Sequence, residues 1–175
     1  MSRPDATGEI VDEFQLRKLV AAYCRAVDRG DIDSLRDLYH RDAVDVHGGF
    51  SAGGIDAFLD GLRAARPFIR TMAHHITTAN FAIAGDSAEG EIYTIAVHTL
   101  AGRERDTDLI VAGRYLDKYQ KRDGAWKIAQ RTIVTDWAQT RDPSSMDLSH
   151  PITEDTLKGT PDANDPSYQF FSLLS

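Results

Sequence analysis

The chain has 175 residues, a length typical of one domain that buries about two-thirds of its unfolded surface. Lys and Arg total 20 against 27 Asp and Glu, a net charge of −7, which argues against a nucleic-acid or anionic-membrane partner. No run approaches the roughly 20 apolar residues of a membrane span. The first residues lack a signal-peptide pattern, and the single cysteine, Cys24, has no partner for an internal disulfide. These features predict a cytoplasmic protein.

Three amphipathic helices are predicted in the first part of the chain, after a disordered N-terminus of residues 1–10. From Val11 to Arg29 the apolar residues recur at the three- and four-residue intervals of one helix face. Gly30 ends this helix, and Asp31 or Asp33 caps a second helix. The second helix carries Leu35, Leu38 and Tyr39, a short strand follows at 43–47, and the third helix presents Ile55, Phe58, Leu59 and Leu62.

The apolar period changes to two after residue 73, which predicts strands. Four segments rich in Ile, Val, Thr, Tyr and Trp span 75–83, 87–99, 108–121 and 125–137, and Asp123-Gly124 supplies a hairpin turn. Helices followed by long antiparallel strands predict an α+β fold with the helices on one face of the sheet. Such long strands over only three helices must bend, so we expect the sheet to enclose a small-molecule pocket. An extended polar tail, 139–175, follows.

Asp28 is the first candidate site residue. It lies on the last turn of the first predicted helix, at the edge of the apolar stripe. The helix dipole disfavours a carboxylate at this end by up to about 1 kcal/mol. Either Asp28 is a solvated surface residue, or it turns toward the pocket and orients an imidazole.

Four histidines could converge on the pocket. His74 and His75 are neighbours on a predicted strand, so they point to opposite faces and at most one looks inward. Periodicity alone does not choose between them. His47 lies on the short first strand, and His98 lies in the segment 87–99. Each of these histidines could instead be a hydrogen-bonded structural residue.

Arg131 alternates with apolar residues on the last predicted strand. A buried charge without a partner costs several kcal/mol, so an ion pair with Asp28 or Asp136 is the structural alternative to a role in the pocket. For the histidines, a non-haem iron site of His47, His75 and an Asp is an alternative, although no zinc motif such as HExxH occurs. GxGxxG and Walker motifs are also absent from the sequence. We expect no metal and no nucleotide cofactor.

Three stretches of the sequence resemble the SnoaL-like family of the nuclear transport factor 2-like superfamily. They read LVAAYCRAVDRGDIDSLRDLYHRDAVDVHGGFSAGG, HHITTANFAIAGDSA and AGRYLDKYQKRDGAWKIAQRTIVTDW, and the resemblance covers about residues 11–138. It implies a cone-shaped, cystatin-like fold in which three N-terminal helices pack on a strongly curved mixed β-sheet around a ligand pocket. The family includes scytalone dehydratase, hexachlorocyclohexane dehydrochlorinase and bile-acid 7α-dehydratase.

The resemblance also implies which residues form the site. These three enzymes are similar in a His–Asp dyad, and Asp28 matches the position of its aspartate. Tyr23 matches a tyrosine of the bile-acid enzyme, and Arg131 resembles the inward arginine of the dehydrochlorinase. His47 and His98 fall at positions where scytalone dehydratase has pocket residues.

The choice between the two neighbouring histidines depends on spacing. The relatives usually place the catalytic histidine four residues before an asparagine, whereas His75 is five and His74 six residues before Asn80. A one-residue bulge would explain the difference. The prediction is therefore that His75 is the base, with His74 as a further pocket residue.

The predicted function is that of a cofactor-independent lyase, a dehydratase-type enzyme that acts on a hydrophobic cyclic or aromatic small molecule. Its His–Asp dyad would act as the general base. An isomerase or a polyketide cyclase with the same dyad is one alternative. A non-catalytic protein is the other, either a ligand binder or an oligomer scaffold similar to the small subunits of ring-hydroxylating dioxygenases. The resemblance implies a homo-oligomer, either a dimer or a trimer.

Overall fold

A computed structural model describes residues 6–145 and 148–173. The helices are α1 (Ala6–Arg29), α2 (Ile32–Asp37), α3 (Ile55–Ala65) and α4 (Pro166–Phe170), with short 3-10 turns at Arg66–Phe68 and Pro143–Ser145. The strands are β1 (Tyr39–Val46), β2 (Ala52–Gly54), β3 (Ile69–Ala84), β4 (Ser87–Leu100), β5 (Thr107–Arg122) and β6 (Ala125–Arg141). Within the described ranges, no helix is long and apolar enough to cross a membrane.

The six strands form one mixed sheet in the order β2-β1-β6-β5-β4-β3. β1 pairs with β6 in parallel, and all other neighbours are antiparallel. The helices pack on one side of this curved, open sheet, which confirms the predicted α+β architecture. Strands of 14 to 17 residues allow the sheet to bend around the helices and to leave a cavity between the two layers.

A Schellman motif ends α1 one residue after Asp28. The Gly30 amide donates to the Val27 carbonyl (3.2 Å), and the Asp31 amide donates to the Ala26 carbonyl (2.9 Å). Gly30 has φ = 64°, a left-handed conformation that glycine adopts without a Cβ clash. Asp31 then caps α2 by accepting from the Ser34 amide at 3.1 Å. Gly30, Asp31 and Ile32 therefore end α1 and begin α2, which places Asp28 in the last turn of α1.

The hydrophobic core lies between α1, α3 and the inner face of the sheet. Burying a large apolar side chain contributes about 1.5–3 kcal/mol, so this cluster stabilises the helices on the sheet. Its most buried members include Leu16, Val20, Tyr23 and Val27 of α1, Phe58 and Leu59 of α3, and Ile92, Tyr115, Tyr119 and Ile128 of the sheet.

Most predicted elements are present, with differences at their ends. α1 begins at Ala6 rather than Val11, so residues 6–10 of the predicted disordered N-terminus are helical, while residues 1–5 lie outside the described residues. Tyr39 begins β1 instead of continuing α2, because its side chain reaches the buried Asp45 carboxylate. The short strand β2 was not predicted.

The C-terminal tail is attached to the end of α1. Residues 139–141 extend β6, so the predicted boundary of the tail falls inside a strand. Further on, Asp165 is buried and forms an ion pair with Arg29 at 3.2 Å. The Arg25 guanidinium lies 5.1 Å from the centre of the Tyr168 ring. These contacts hold α4 beside the helix that carries Asp28.

Candidate active site

A cavity of about 540 Å³ opens between the helices and the inner face of the sheet. A volume of this size suits a small organic ligand. Most of the wall is aliphatic or aromatic, and the half-exposed rings of Phe50 and Phe68 belong to it. The polar groups in the wall are three imidazoles and one phenol, from His47, His74, His98 and Tyr23.

His74 lines the cavity and forms a hydrogen-bonded pair with Asp28. The Nδ1 atom of His74 lies 2.6 Å from Oδ1 of Asp28, and the His74 backbone amide donates to Oδ2 at 3.1 Å. The two side chains are 9% and 13% exposed. An ionised carboxylate only accepts, so Nδ1 carries the proton of this bond and Nε2 remains unprotonated in a neutral ring. Among the described residues, Nε2 has no hydrogen-bond partner.

The prediction that His75 pairs with Asp28 was wrong. His75 is exposed on the outer face of β3, as strand alternation requires once His74 faces the cavity. His47 lines the cavity while His75 does not, so the alternative iron site of His47, His75 and an Asp is not assembled. Among the described residues, no three His, Cys, Asp or Glu side chains come together in an arrangement suited to a metal ion.

A bulge in β3 explains why His74 faces inward. Ile76 pairs with Thr94 and Thr78 pairs with Tyr93, so Thr77 is an extra residue without a partner. Thr77 and Thr78 are both exposed, and the inward side changes from even-numbered to odd-numbered residues at this point. The expected bulge exists. However, His74 faces the cavity, whereas the spacing to Asn80 predicted that His75 would face it.

His98 is the second imidazole beside His74. The ring centroids are 5.4 Å apart at an interplanar angle of 86°. Burial, together with the proximity of His74, lowers the pKa of His98 to about 4. His98 is therefore neutral near pH 7, and its buried Nδ1 has no protein partner among the described residues.

Arg131 lies behind the cavity wall. Its guanidinium binds Asp117 through two hydrogen bonds of 2.7 and 2.6 Å, and both side chains are fully buried. The rings of Tyr23 and Tyr115 have their centroids 4.0 and 4.2 Å from its Cζ atom. Neither predicted partner is correct: Asp28 pairs with His74, and Asp136 pairs with Arg114. Since Arg131 is not part of the cavity wall, it supports Tyr23 rather than contacting a ligand directly.

Tyr23 lines the cavity with its ring edge-on to His74, at a centroid distance of 6.5 Å. Burial raises the pKa of Tyr23 well above its ordinary value, although the nearby Arg131 acts in the opposite direction. The hydroxyl therefore stays protonated and remains a hydrogen-bond donor. This position agrees with its predicted place in the site.

His47 also lines the cavity, and it belongs to a second pair that the sequence analysis missed. Its Nδ1 contacts Oδ1 of Asp45, while Oδ2 of Asp45 accepts from the Tyr39 hydroxyl at 2.9 Å. The signal was present in the sequence, because residues two apart on a strand share a face. Asp45 and His47 have this spacing at the end of β1.

The fold and the cavity define a class of protein, a small α+β cone with a ligand-sized cavity under its helices. The family model of the SnoaL-like domain matches residues 8–132. The chain therefore belongs to the SnoaL-like family, and its fold is that of the nuclear transport factor 2-like superfamily. This result confirms the resemblance found in the sequence.

Among curated proteins, the chain is similar to the terminal oxygenase component subunit beta 1 of terephthalate 1,2-dioxygenase from Comamonas sp. The two are 25% identical over 142 residues, which cover 73% of this chain and 92% of that subunit. The similarity extends over nearly the whole relative, which makes the function of a beta subunit one of the candidates considered below.

Two solved structures show the same fold. A candidate scytalone dehydratase from Novosphingobium aromaticivorans has a TM-score of 0.68 at 23% identity, covering 75% of this chain and 88% of that chain. A type 3 hexachlorocyclohexane dehydrochlorinase from Novosphingobium barchaimii has a TM-score of 0.67 at 19% identity, covering 76% and 92%. The neighbours of the fold thus include dehydratase-type proteins.

Proposed function

We propose that the protein is a cofactor-independent lyase of the dehydratase type, acting on a hydrophobic cyclic or aromatic small molecule with His74 as its base. One observation carries this proposal: His74, paired with Asp28, lines an apolar cavity, and its Nε2 has no hydrogen-bond partner among the described residues. This assignment replaces His75 with its neighbour and keeps the predicted partner, Asp28.

The chemistry follows from the hydrogen bond. Asp28 holds the ring in the tautomer with the proton on Nδ1, so the lone pair of Nε2 can take a proton from a carbon next to a carbonyl group. The same carboxylate stabilises the imidazolium that forms. The Tyr23 hydroxyl is a donor for the developing enolate oxygen, and an oriented donor of this kind contributes about 3 kcal/mol.

The family and its fold neighbours support an elimination, because they include dehydratase-type proteins. An isomerase or a polyketide cyclase would use the same first step and differ only in the fate of the carbanion. The choice of elimination therefore rests on these relatives, while the choice of base rests on the geometry of His74.

A second candidate function is that of a non-catalytic subunit. The similarity to the terephthalate dioxygenase beta subunits, at 25% identity over 92% of their length, favours it. Co-expression with a dioxygenase large subunit, followed by gel filtration, would test it through the formation of a stoichiometric complex. The predicted homo-oligomer remains a prediction, and light scattering on the purified chain would determine the number of subunits.

The base can be tested before the natural substrate is known. The planar aromatic 5-nitrobenzisoxazole loses its ring C–H proton to a base while its N–O bond breaks, and the ring opens to a coloured cyano-nitrophenolate. We expect the protein to accelerate this reaction above the buffer rate. The His74→Gln variant should lose at least about 100-fold of that acceleration, the usual contribution of a general base.

The matched control is His75→Gln, the same substitution at the neighbouring exposed position. Its rate should stay within about twofold of the unaltered protein, because a surface change away from the cavity leaves the base in place. Equal losses in the two variants, or no acceleration above buffer by the unaltered protein, would contradict His74 as the base. Far-UV circular dichroism of both variants establishes that they are folded.

A further inference from the structure

A second imidazole–carboxylate pair faces the same cavity as His74 and Asp28. His47 follows β1 directly, and its Nδ1 contacts Asp45, which is 0% exposed. Its ring is stacked on Phe58, with centroids 4.5 Å apart at an angle of 16°. The stacking and the carboxylate fix the ring from two sides. Among the described residues, Nε2 of His47 has no hydrogen-bond partner, so it is free to contact a ligand.

The bend of the sheet brings the two pairs together. β1 and β3 are four strand spacings apart in the sheet order, which in a flat sheet corresponds to about 19 Å. Nevertheless, His47 and His74 both line the one cavity. A ligand that fills this cavity therefore contacts two carboxylate-bound imidazoles from different parts of the wall.

Asp45 and Asp28 lie in different surroundings, so their histidine partners differ in the number of protons that they carry. Asp45 is fully buried, and its described hydrogen-bond partners are His47 and the Tyr39 hydroxyl. Burial raises the pKa of Tyr39 well above its ordinary value, so Tyr39 is a neutral donor. A buried carboxylate requires a cation close by. Arg131 lies beside Asp45 in the strand pairing, but both of its hydrogen bonds go to Asp117, so His47 is the partner left to supply the charge. Asp28 is partly exposed and also accepts a hydrogen bond from a backbone amide, so it does not require a positive charge on His74.

The other titratable groups of the cavity wall permit a positive charge on His47. The ring contacts Asp45, Phe50 and Phe58. The Tyr39 hydroxyl donates to the same carboxylate, and Arg131 on the neighbouring strand β6 is paired with Asp117. In the described part of the chain, no Lys or Arg side chain lines the cavity. Tyr23 and His98 are both neutral near pH 7, because burial raises the pKa of Tyr23 and lowers the pKa of His98 to about 4.

We propose that His47 is a second catalytic residue of this site, the proton donor to the leaving group, and that the substrate is a ring-sized β-hydroxy ketone. This inference rests on the proposed function of His74. His74 takes the proton from the carbon beside the carbonyl, and the C–H electron pair forms the new double bond. The C–O bond then breaks, and the departing hydroxide takes the proton of His47 Nε2 and leaves as water. His74 ends as the imidazolium and His47 as the neutral ring, and one proton exchange with solvent restores both.

Heteronuclear NMR of the imidazole nitrogens tests the assignment without a substrate. The chain has six histidines, and single His→Gln variants assign their signals. Near pH 7 we expect both nitrogens of His47 to carry protons and His74 to carry one proton, on Nδ1. A neutral His47 in the unaltered protein would overturn the assignment of the donor, whereas it would leave His74 as the base.

Two matched variants separate the pairs. Asp45→Asn keeps an oxygen for the Tyr39 hydroxyl but removes the charge, so His47 should become neutral while the signals of His74 stay unchanged. Asp28→Asn should leave the signals of His47 unchanged. A protonated His47 in Asp45→Asn would show that Asp45 is not the cause and would contradict the inference. The measurement on the unaltered protein remains decisive if Asp45→Asn does not fold.

Turnover supplies a further test, because a proton donor matters most for a poor leaving group. β-Hydroxypropiophenone and β-chloropropiophenone both eliminate to phenyl vinyl ketone. The rate loss of His47→Gln on the hydroxy ketone should exceed its loss on the chloro ketone by at least about tenfold, whereas His74→Gln should slow both alike. Equal losses of His47→Gln on the two ketones would contradict a proton donor. If the unaltered protein turned over neither ketone, the proposed elimination would be contradicted instead. The NMR experiment tests only the protonation of His47 and His74, so the two outcomes can be distinguished.

Discussion

Two charged pairs in the same cone, Arg131–Asp117 and His74–Asp28, have opposite relations to the cavity. Arg131 and Asp117 are both 0% exposed and joined by two hydrogen bonds, between the rings of Tyr23 and Tyr115. His74 and Asp28 are 9% and 13% exposed, and one nitrogen of His74 is left unbound in the cavity wall. Both pairs satisfy a buried charge. The Nη1 atom of Arg131 also lacks a partner among the described residues, but it is buried outside the cavity wall, whereas His74 lines the cavity.

The comparison shows why an inward charged residue is weak evidence for a catalytic role. Arg131 matches a functional position of relatives in sequence, yet its guanidinium is committed to Asp117 and lies outside the cavity wall. Burial and hydrogen-bond occupancy decide the role of each group, and neither can be read from residue type. The two pairs should therefore respond differently to substitution.

The largest effect is expected for Asp117→Ala, which leaves the Arg131 charge buried without a partner. Removing one member of a buried ion pair costs about 3–5 kcal/mol, and urea unfolding would measure this as a loss in the free energy of unfolding. The control is Asp136→Ala, which removes a partly exposed partner of Arg114 and should cost no more than about 1 kcal/mol. Equal losses of unfolding free energy in the two variants would mean that the buried Arg131–Asp117 pair stabilises the fold no more than an exposed ion pair does.

The next effect concerns His98, which has no carboxylate partner, unlike its neighbour His74. Its pKa is about 4 in the folded protein, against an ordinary histidine value of 6.5. Between these values the unfolded chain binds a proton that the folded protein does not, so the stability from neutral His98 is complete above pH 6.5 and falls as the pH drops toward 4. The loss is about 3 kcal/mol at most.

Urea unfolding at several pH values, for the unaltered protein and His98→Gln, would measure this effect. The difference in unfolding free energy between the two should decrease as the pH falls from about 7 to about 4, because the other titrations cancel. A difference that does not change with pH would show that His98 titrates normally in the folded protein.

The smallest effect on stability is expected for Asp28→Asn in the cavity pair. The amide can still accept the His74 backbone proton, and the change removes a negative charge from the C-terminal end of α1. The free energy of unfolding should change by less than about 1 kcal/mol, while turnover of 5-nitrobenzisoxazole falls by at least about 100-fold. A loss of several kcal/mol in unfolding free energy would show that the His74–Asp28 pair stabilises the fold as much as the Arg131–Asp117 pair does.

Much of the fold follows from local sequence patterns. The apolar spacing identifies α1, α3 and the four long strands, and Gly30 marks the end of α1. Asp123 and Gly124 both have positive φ, 53° and 80°, as the predicted hairpin turn requires. The position of Asp28 beside the cavity was also predicted. These features depend on a few neighbouring residues, so the sequence contains what is needed to predict them.

The tertiary structure decided which residues meet in the site, and two bulges account for the main errors. The extra residue Thr77 reverses the inward side of β3 and selects His74 over His75. Regular pairing from the Asp123-Gly124 turn would place Leu116 opposite Arg131. An extra residue at Ala129 shifts the register, so that Asp117 lies there instead. A one-residue change of register alters every later side-chain position, and local propensity does not encode it.

By itself, the sequence determined the family, the order of helices and strands, and the position of Asp28 at the end of α1. Only the tertiary structure decided that His74 is its partner, that Arg131 is buried against Asp117, and that His47, which contacts Asp45, lines the same cavity as His74. The reason is physical. Helix and strand patterns arise from neighbours along the chain, whereas burial, strand register and the bend of the sheet arise from contacts between distant segments.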